Sequence, residues 1–326
     1  MSVAVLGTGS AVPQEKLTNA DLEALVDTND DWIVSRTGIR ERGKLPLGRA
    51  TSDLATESAV AALKAAGLQA DDLDLIVVCT CTPDMTMPST AALVQRNLAI
   101  RATIPCYDLN AACAGFVFGM EVVHDQLIAG RYRRALLIGA DTMTRLMDYE
   151  DRTTCVLFGD AAGAVVLGNV DEPRGLVATT IQADGRLWDL IQVPGGGSLK
   201  PPSPYMFTQR EHYLRMNGRQ TFKFAVQAME QVSRDTVVKA GWQLDQVDHV
   251  VVHQANLRII DAVSERLGLA PERVPINVSR MGNTSAASIP VLLDECARGG
   301  RLRAGDRVLC VGFGSGLSWG AAALVW

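Results

Sequence analysis

The stretch Asp71-Asp72-Leu73-Asp74-Leu75-Ile76-Val77-Val78 decides the fold, because its pattern returns as Leu244-Asp245-Gln246-Val247-Asp248-His249-Val250-Val251-Val252. In both places an acidic turn leads into a short, continuous apolar run, which is how a strand covered on both faces reads. The surroundings repeat as well. A helical segment from about Ser52 to Ala66 precedes the first run, with Leu54, Val60, Leu63 and Ala66 on one face and Gly67 placed as a helix-ending glycine. Its counterpart is a segment from about Phe222 to Lys239, followed by Gly241-Trp242. Further on, Arg134-Ala135-Leu136-Leu137-Ile138-Gly139-Ala140 matches Asp306-Arg307-Val308-Leu309-Cys310-Val311-Gly312, and Gly163-Ala164-Val165-Val166-Leu167 matches Gly320-Ala321-Ala322-Ala323-Leu324-Val325. Strand runs alternating with helices define the α/β class. The repeat predicts two similar α/β halves, residues 1–170 and 171–326.

With 326 residues, 48% of them hydrophobic, the chain can bury one large core or two fused ones and needs no disulfide or metal staple. No apolar run approaches the roughly 20 residues of a membrane span, and Val3-Ala4-Val5-Leu6 reads as a strand with no basic segment ahead of it. A soluble, cytoplasmic protein is expected, with no membrane partner. Seven cysteines suit no paired framework; Cys79, Cys81, Cys106, Cys155, Cys296 and Cys310 read as small packing hydrophobes. Cys79-Thr80-Cys81 is not a metal-ligand pair, so no metal site is expected. A net charge of −5 argues against nucleic acid as a partner, while leaving room for a local basic patch. Gly7-Thr8-Gly9 is followed by Val12, so the dinucleotide fingerprint fails, and Pro194-Gly195-Gly196-Gly197-Ser198-Leu199-Lys200 lacks the ending of a phosphate loop.

The seventh cysteine carries the chemistry. Cys113, in Asn110-Ala111-Ala112-Cys113-Ala114-Gly115-Phe116, precedes a helical pattern of Phe116, Met120, Val123 and Leu127. A helix N-terminus there favours thiolate over thiol. His253, in His253-Gln254-Ala255-Asn256, and Asn283, in Gly282-Asn283-Thr284-Ser285, occupy turns of the other half. A site built from all three would lie where the halves meet, as ligand clefts often do. His124, His212 and His249 read as satisfied core histidines. Cys, His and Asn in that order also describe papain-like hydrolases, but the Cys-Gly-Ser-Cys-Trp context is absent and the duplicated plan is wrong for them.

Taken with Asp27-Thr28-Asn29-Asp30-Asp31-Trp32-Ile33-Val34-Ser35-Arg36-Thr37-Gly38-Ile39 and Gly312-Phe313-Gly314-Ser315-Gly316-Leu317-Ser318-Trp319-Gly320, these motifs resemble the β-ketoacyl-acyl-carrier-protein synthase III family over essentially the whole chain. The resemblance implies a thiolase-like fold, two α/β halves packed as a five-layer αβαβα sandwich. It also implies decarboxylative Claisen condensation of a short acyl-CoA primer with malonyl-acyl carrier protein, initiating fatty-acid biosynthesis.

By the same resemblance, Cys113 is the acyl-accepting nucleophile and the backbone N–H groups of Cys113 and Ser315 form the oxyanion hole. His253 and Asn283 donate to the enolate oxygen. Trp32 and Arg152 sandwich the adenine of CoA, Thr28 and Arg36 contact the nucleotide, and Asn217, Gly218 and Asn256 line the pantetheine tunnel. Phe222 shapes the decarboxylation pocket, Met87 reaches across a homodimer to cap the acyl pocket, and Lys223 and Arg258 meet the acidic carrier protein. CoA is a substrate here and no cofactor is implied. Two departures stand out: Ser315 replaces a glycine common in the family, and Met87 replaces the phenylalanine of some relatives, which would admit longer or branched primers. Alternatives of other kinds are a related synthase of secondary metabolism, a cysteine thioesterase, and a non-catalytic acyl-CoA binding protein, which would leave the Cys113, His253 and Asn283 set without purpose.

Overall fold

The computed structural model describes residues 2–326, and its strands fall into two main sheets that reproduce the repeat. In the first, Ser2–Ala11 pairs antiparallel with Asp160–Val170, which pairs antiparallel with Arg134–Thr142. That strand runs parallel to Leu75–Cys79, which runs parallel to Cys106–Leu109. The second sheet has the same order: Gly175–Ala183 beside Ser318–Val325, then Arg307–Gly314, then His249–Val252, with the last pairing parallel. Every repeated strand motif therefore occupies the equivalent place in its sheet. The edge strand Cys106–Leu109 has no partner of its kind in the four-stranded second sheet, and no repeat in the sequence announces it.

The helices complete five layers. Helix Thr51–Ala66 covers the outer face of the first sheet, and helix Gly218–Lys239 with helix Leu257–Leu267 covers the outer face of the second. Between the sheets lie helices Gly115–Ile128 and Ser288–Arg298, one from each half, each touching strands of both sheets. The buried runs explain this order. Leu75, Ile76, Val77, Val78 and Cys79 are all fully buried, as are Val250, Val251 and Val252, so each sheet needs cover on both faces. Gly67 ends the first outer helix at φ 67°, the left-handed conformation a C′ glycine adopts without penalty.

The middle layer sits close because the sheet lacks side chains beneath it. A Cβ on Gly139 would lie 2.2 Å from Ala286 O, and one on Gly163 would lie 2.5 Å from Val291 N. Residues 285–287 form a 3₁₀ turn leading into helix Ser288–Arg298, so Gly139 sets the height of that turn above the first sheet. Gly139→Ala is expected to lose about 1–3 kcal/mol through overpacking. Thermal denaturation measures it, and an unchanged melting temperature would mean the turn is free to move.

Candidate active site

Cys113 lies in a 3₁₀ turn, Ala112–Ala114, at the head of helix Gly115–Ile128. The residue before it, Ala112, has φ 46°, an uncommon conformation for a side-chain-bearing residue. This turn presents the thiol between the two sheets. His253 follows strand His249–Val252 and is held by its own N–H on Val311 O at 2.8 Å. Asn283 is anchored by its N–H on Leu157 O at 2.8 Å and by Gly159 N–H donating to its carbonyl at 3.0 Å. The segment beneath it is fixed by the fully buried Arg42, whose Nε donates to Val156 O at 3.0 Å and Nη1 to Asn19 Oδ1 at 2.7 Å.

These three residues, from different parts of the fold, line one cavity of about 270 Å³ together with Cys81, Met143, Phe158, Ile191, Thr221, Asn256, Ser285, Phe313, Gly314 and Ser315. A separate groove of about 960 Å³ contains none of the motif residues, so size alone does not mark the site.

Within the cavity the hydrogen bonds assign donors. His253 Nδ1 is 2.7 Å from Ser288 Oγ, which leaves Nε2 for the cavity. Asn283 Oδ1 accepts from Ser285 N–H at 2.9 Å, and its Nδ2 makes no hydrogen bond among the described residues. Burial lowers His253 to about 4 from its ordinary 6.5, so the imidazole is neutral at physiological pH. The cysteine differs from expectation. Burial pushes the Cys113 thiol up to about 12, opposed by the hydroxyl of Ser285 at 3.4 Å. A helix N-terminus alone suggests a thiolate; enclosure outweighs it, because no Lys or Arg lines the cavity to offset desolvation. The resting pair is thiol and imidazole, unlike the ion pair of a papain-like site.

Gly314 ends strand Arg307–Gly314 directly against the nucleophile: a Cβ there would lie 2.6 Å from Cys113 N and 3.0 Å from Ala114 N. Only a bare backbone fits. Ser315 follows, with its Oγ donating to Ile191 O, on the short strand Ile191–Gln192, at 2.5 Å.

A second cavity of about 370 Å³ shares Met216, Thr221, Asn256 and Ile259 with the first and adds Arg36, Gly218, Arg219, Phe222 and Arg258. Phe222 lines this vestibule, and the preceding residue, Thr221, lines both cavities. Arg258 stands over the Phe222 ring at 5.8 Å. Arg36 and Arg152 lie 4.5 and 5.0 Å from the centre of the Trp32 ring, and Arg152 is also tied to Asp27 O at 2.7 Å. A base entering between Trp32 and Arg152 must therefore displace that guanidinium. Asn217 lines neither cavity; its side chain accepts from Gln220 N–H at 3.2 Å and caps helix Gly218–Lys239. Lys223 is exposed, as is Met87 at 79%, outside both cavities of its own chain.

Sequence reasoning missed several participants. Cys81, assigned to packing, lines the inner cavity, and so do Phe313 and Ser285, which the motifs contained without a role. Arg219 adds a third cation to the vestibule; its place beside Asn217-Gly218 is the only sequence signal. None of Arg36, Arg219 and Arg258 forms an ion pair among the described residues. Of the histidines set aside, His249 Nε2 faces Asp306 at 3.3 Å and His212 stacks 3.9 Å from Tyr213, while the Nδ1 of each is buried without a partner among the described residues. Both are packed without being fully satisfied.

A five-layer α/β fold with a Cys, His and Asn meeting between its halves defines a thiolase-like condensing acyltransferase. Family comparison agrees. The model described as 3-oxoacyl-[acyl-carrier-protein (ACP)] synthase III matches residues 107–185, and that of its C-terminal part matches residues 237–326. The chain is 48% identical to the beta-ketoacyl-[acyl-carrier-protein] synthase III of Symbiobacterium thermophilum over 99% of its own length and 98% of that relative. It is 46% identical to the enzyme of that name from Desulfitobacterium hafniense, over 100% and 98% of the two chains. Among solved structures, 3-oxoacyl-[acyl-carrier-protein] synthase III from Aquifex aeolicus superposes with a TM-score of 0.93 at 40% identity, covering 100% of both chains. The chain belongs to the β-ketoacyl-acyl-carrier-protein synthase III family, and its fold is the thiolase fold.

Gly314→Ala is expected to cost on the order of 100-fold in acylation of Cys113, the scale of losing one oxyanion donor. Single-turnover release of CoA thiol from an acyl-CoA measures it; an undiminished rate would remove Gly314 and Ser315 from the oxyanion site.

Proposed function

We propose that this chain condenses a short acyl-CoA primer with malonyl-acyl carrier protein, giving 3-oxoacyl-acyl carrier protein, CoA and CO2 and initiating fatty-acid biosynthesis. The observation that carries this reading is the single enclosed cavity in which Cys113, His253 and Asn283 meet beside Gly314 and Ser315. Residues 1–170 supply the nucleophile, and residues 171–326 supply the two enolate donors and the Ser315 donor.

The acyl-CoA enters past the vestibule. Its phosphates meet the unpaired cations Arg36 and Arg219, its adenine lies between Trp32 and Arg152, and its pantetheine arm passes Gly218 and Asn256. Thr28 Oγ1 and Thr221 Oγ1 are buried with no partner, which is hydrogen-bonding capacity that an incoming arm or nucleotide fills. Asn217 bounds this entrance as the cap of helix Gly218–Lys239. Cys113 Sγ then attacks the thioester carbonyl. The oxyanion rests on the N–H groups of Cys113 and Ser315, the bond from carbon to the CoA sulfur breaks, and the proton that left Cys113 ends on the CoA thiol.

The second half-reaction uses neutral groups. With the Ser288 hydroxyl acting as donor across the 2.7 Å contact to His253 Nδ1, the ring proton lies on Nε2, and His253 and Asn283 Nδ2 then offer two donors to one oxygen. Malonyl-carrier protein loses CO2, the electron pair flows onto the thioester oxygen held by those donors, and the resulting enolate attacks the acyl carbon on Cys113. The Cys113 sulfur leaves and is reprotonated. Phe313, buried at the cavity wall, keeps this step dry, with Phe222 shaping the adjoining vestibule.

The carrier protein is acidic, so Lys223 and Arg258, joined by Arg36 and Arg219, form the docking face. The protein acts as a homodimer: the free edge Cys106–Leu109 and the exposed Met85 and Met87 are covered by a second copy, where Met87 closes the partner's acyl pocket. No helix among the described residues is long and apolar enough to cross a membrane, and the reaction takes place in the cytoplasm. CoA serves as substrate and the residues of the chain carry the chemistry without a cofactor.

Incubation with acetyl-, isobutyryl- or octanoyl-CoA followed by intact-mass and peptide mapping tests this reading. An acyl adduct on Cys113 that disappears as 3-oxoacyl-carrier protein forms is the expected result. His253→Ala and Asn283→Ala should still acylate but condense at least about 100-fold more slowly. Loss of the adduct to water without malonyl-carrier protein would instead indicate a thioesterase.

A further inference from the structure

Nothing cationic lines the cavity of Cys113, yet acyl transfer requires its thiolate. The group that touches the sulfur is a hydroxyl: Ser285 Oγ lies 3.4 Å from Cys113 Sγ. The same hydroxyl lies 3.8 Å from Cys81 Sγ, and Cys81 Sγ in turn donates to Asp141 Oδ1 at 3.4 Å. Asp141 is fully buried. Its Oδ1 also accepts from Thr80 Oγ1, Cys81 N, Thr82 N and Thr82 Oγ1 at 2.8–3.1 Å, and its Oδ2 accepts from Ala286 N at 3.1 Å. One carboxylate therefore pins both the Cys81 turn and the Ser285 turn to the end of strand Arg134–Thr142.

Ser285 is itself held in an uncommon conformation, φ 51°, with its N–H on Asn283 Oδ1 at 2.9 Å. Among the described residues four non-glycine residues have positive φ, and two of them, Ala112 and Ser285, flank Cys113. Strain of this kind persists where the surroundings over-determine it and clusters at functional sites. Here the over-determining groups are Asp141 and Asn283, and the consequence is a hydroxyl fixed beside the sulfur.

Resting on the condensing reading above, we propose that Ser285 is a further catalytic residue, donating its hydroxyl hydrogen to the Cys113 thiolate that attacks the acyl thioester, with Cys81 and Asp141 positioning that hydroxyl. With the thiol protonated, Cys113 S–H donates to Ser285 Oγ, Ser285 O–H donates to Cys81 Sγ, and Cys81 S–H donates to Asp141. When Cys113 loses its proton, rotation about one C–O bond turns the Ser285 hydroxyl from acceptor to donor toward the sulfur. The acyl transfer balances as before: the Cys113 S–H and CoA S–C bonds break, and Cys113 S–C and CoA S–H bonds form. A charge-assisted hydrogen bond of this kind is about twice as strong as a neutral one, and it stands where other thiol enzymes use a cation.

The groups that titrate around Cys113 are Asp141, Cys81 and His253, and all three remain in Ser285→Ala and Ser285→Gly. Glycine accommodates φ 51° freely, so it keeps the test valid if alanine disturbs the turn. The rate of Cys113 alkylation by iodoacetamide is followed by peptide mapping across pH, with the half-exposed Cys106 as internal reference. Both variants should alkylate Cys113 about tenfold more slowly near neutral pH, with the profile displaced upward by about one unit, while Cys106 is unchanged. Wild-type alkylation profiles in both variants would overturn the role of Ser285. The alkylation readout needs no substrate, so a wild-type protein that takes no acyl group from any acyl-CoA would sink the condensing reading separately.

Discussion

Everything in the site hangs on the contact between the Gly314 backbone and the Cys113 turn, where even one methyl group would lie 2.6 Å from the nucleophile's own nitrogen. That contact joins the last strand motif of the second half to the head of the central helix of the first. It brings the Gly314 backbone against the N–H groups of Cys113 and Ala114. Gly139 imposes the matching constraint from below, since its missing Cβ lets the Ser285 turn sit on the first sheet. The nucleophile is thus clamped between two glycines' worth of empty space, and the uncommon φ angles of Ala112 and Ser285 are what the clamped backbone adopts.

Enclosure then governs the electrostatics. Burial favours neutral forms, pushing the Cys113 thiol up to about 12 and His253 down to about 4. A neutral imidazole is what enolate stabilisation needs, because an Nε2–H can donate without a charge that would hold the malonyl carboxylate in place. The same burial has a cost in acid. Since His253 is lowered in the fold from 6.5, the stability it contributes is complete above about 6.5 and is lost as pH falls toward 4. Charge is kept outside the inner cavity, on Arg36, Arg219 and Arg258 at the vestibule.

Much of this was legible in the chain. The duplicated strand motifs carry their own burial pattern, so two sheets of buried strands are expected from Leu75–Cys79 and His249–Val252 read together, while the strand order is set by the tertiary fold. Cys113, His253 and Asn283 stand in turns whose small neighbours mark tight backbone, and the cavity gathers all three. What stayed hidden depends on tertiary distance. The edge strand Cys106–Leu109 has no repeat partner. Cys81 looks like packing until Asp141 and Ser285 are seen on either side of it. A helix N-terminus beside Cys113 is visible in sequence, whereas the burial that pushes its thiol up is not. Thr221 and Phe222 are neighbours on one helix, yet only Thr221 lines the inner cavity as well as the vestibule.

The central claim is a neutral pair, thiol and imidazole, poised between the two halves. Nitrogen-15 NMR of histidine-labelled protein, compared with a His253→Gln variant for assignment, reads it directly. His253 should remain the neutral Nε2–H tautomer from pH 8 to pH 5 and titrate only at about 4. An imidazolium signal at neutral pH that vanishes when Cys113 is alkylated would show a thiolate–imidazolium pair and contradict it.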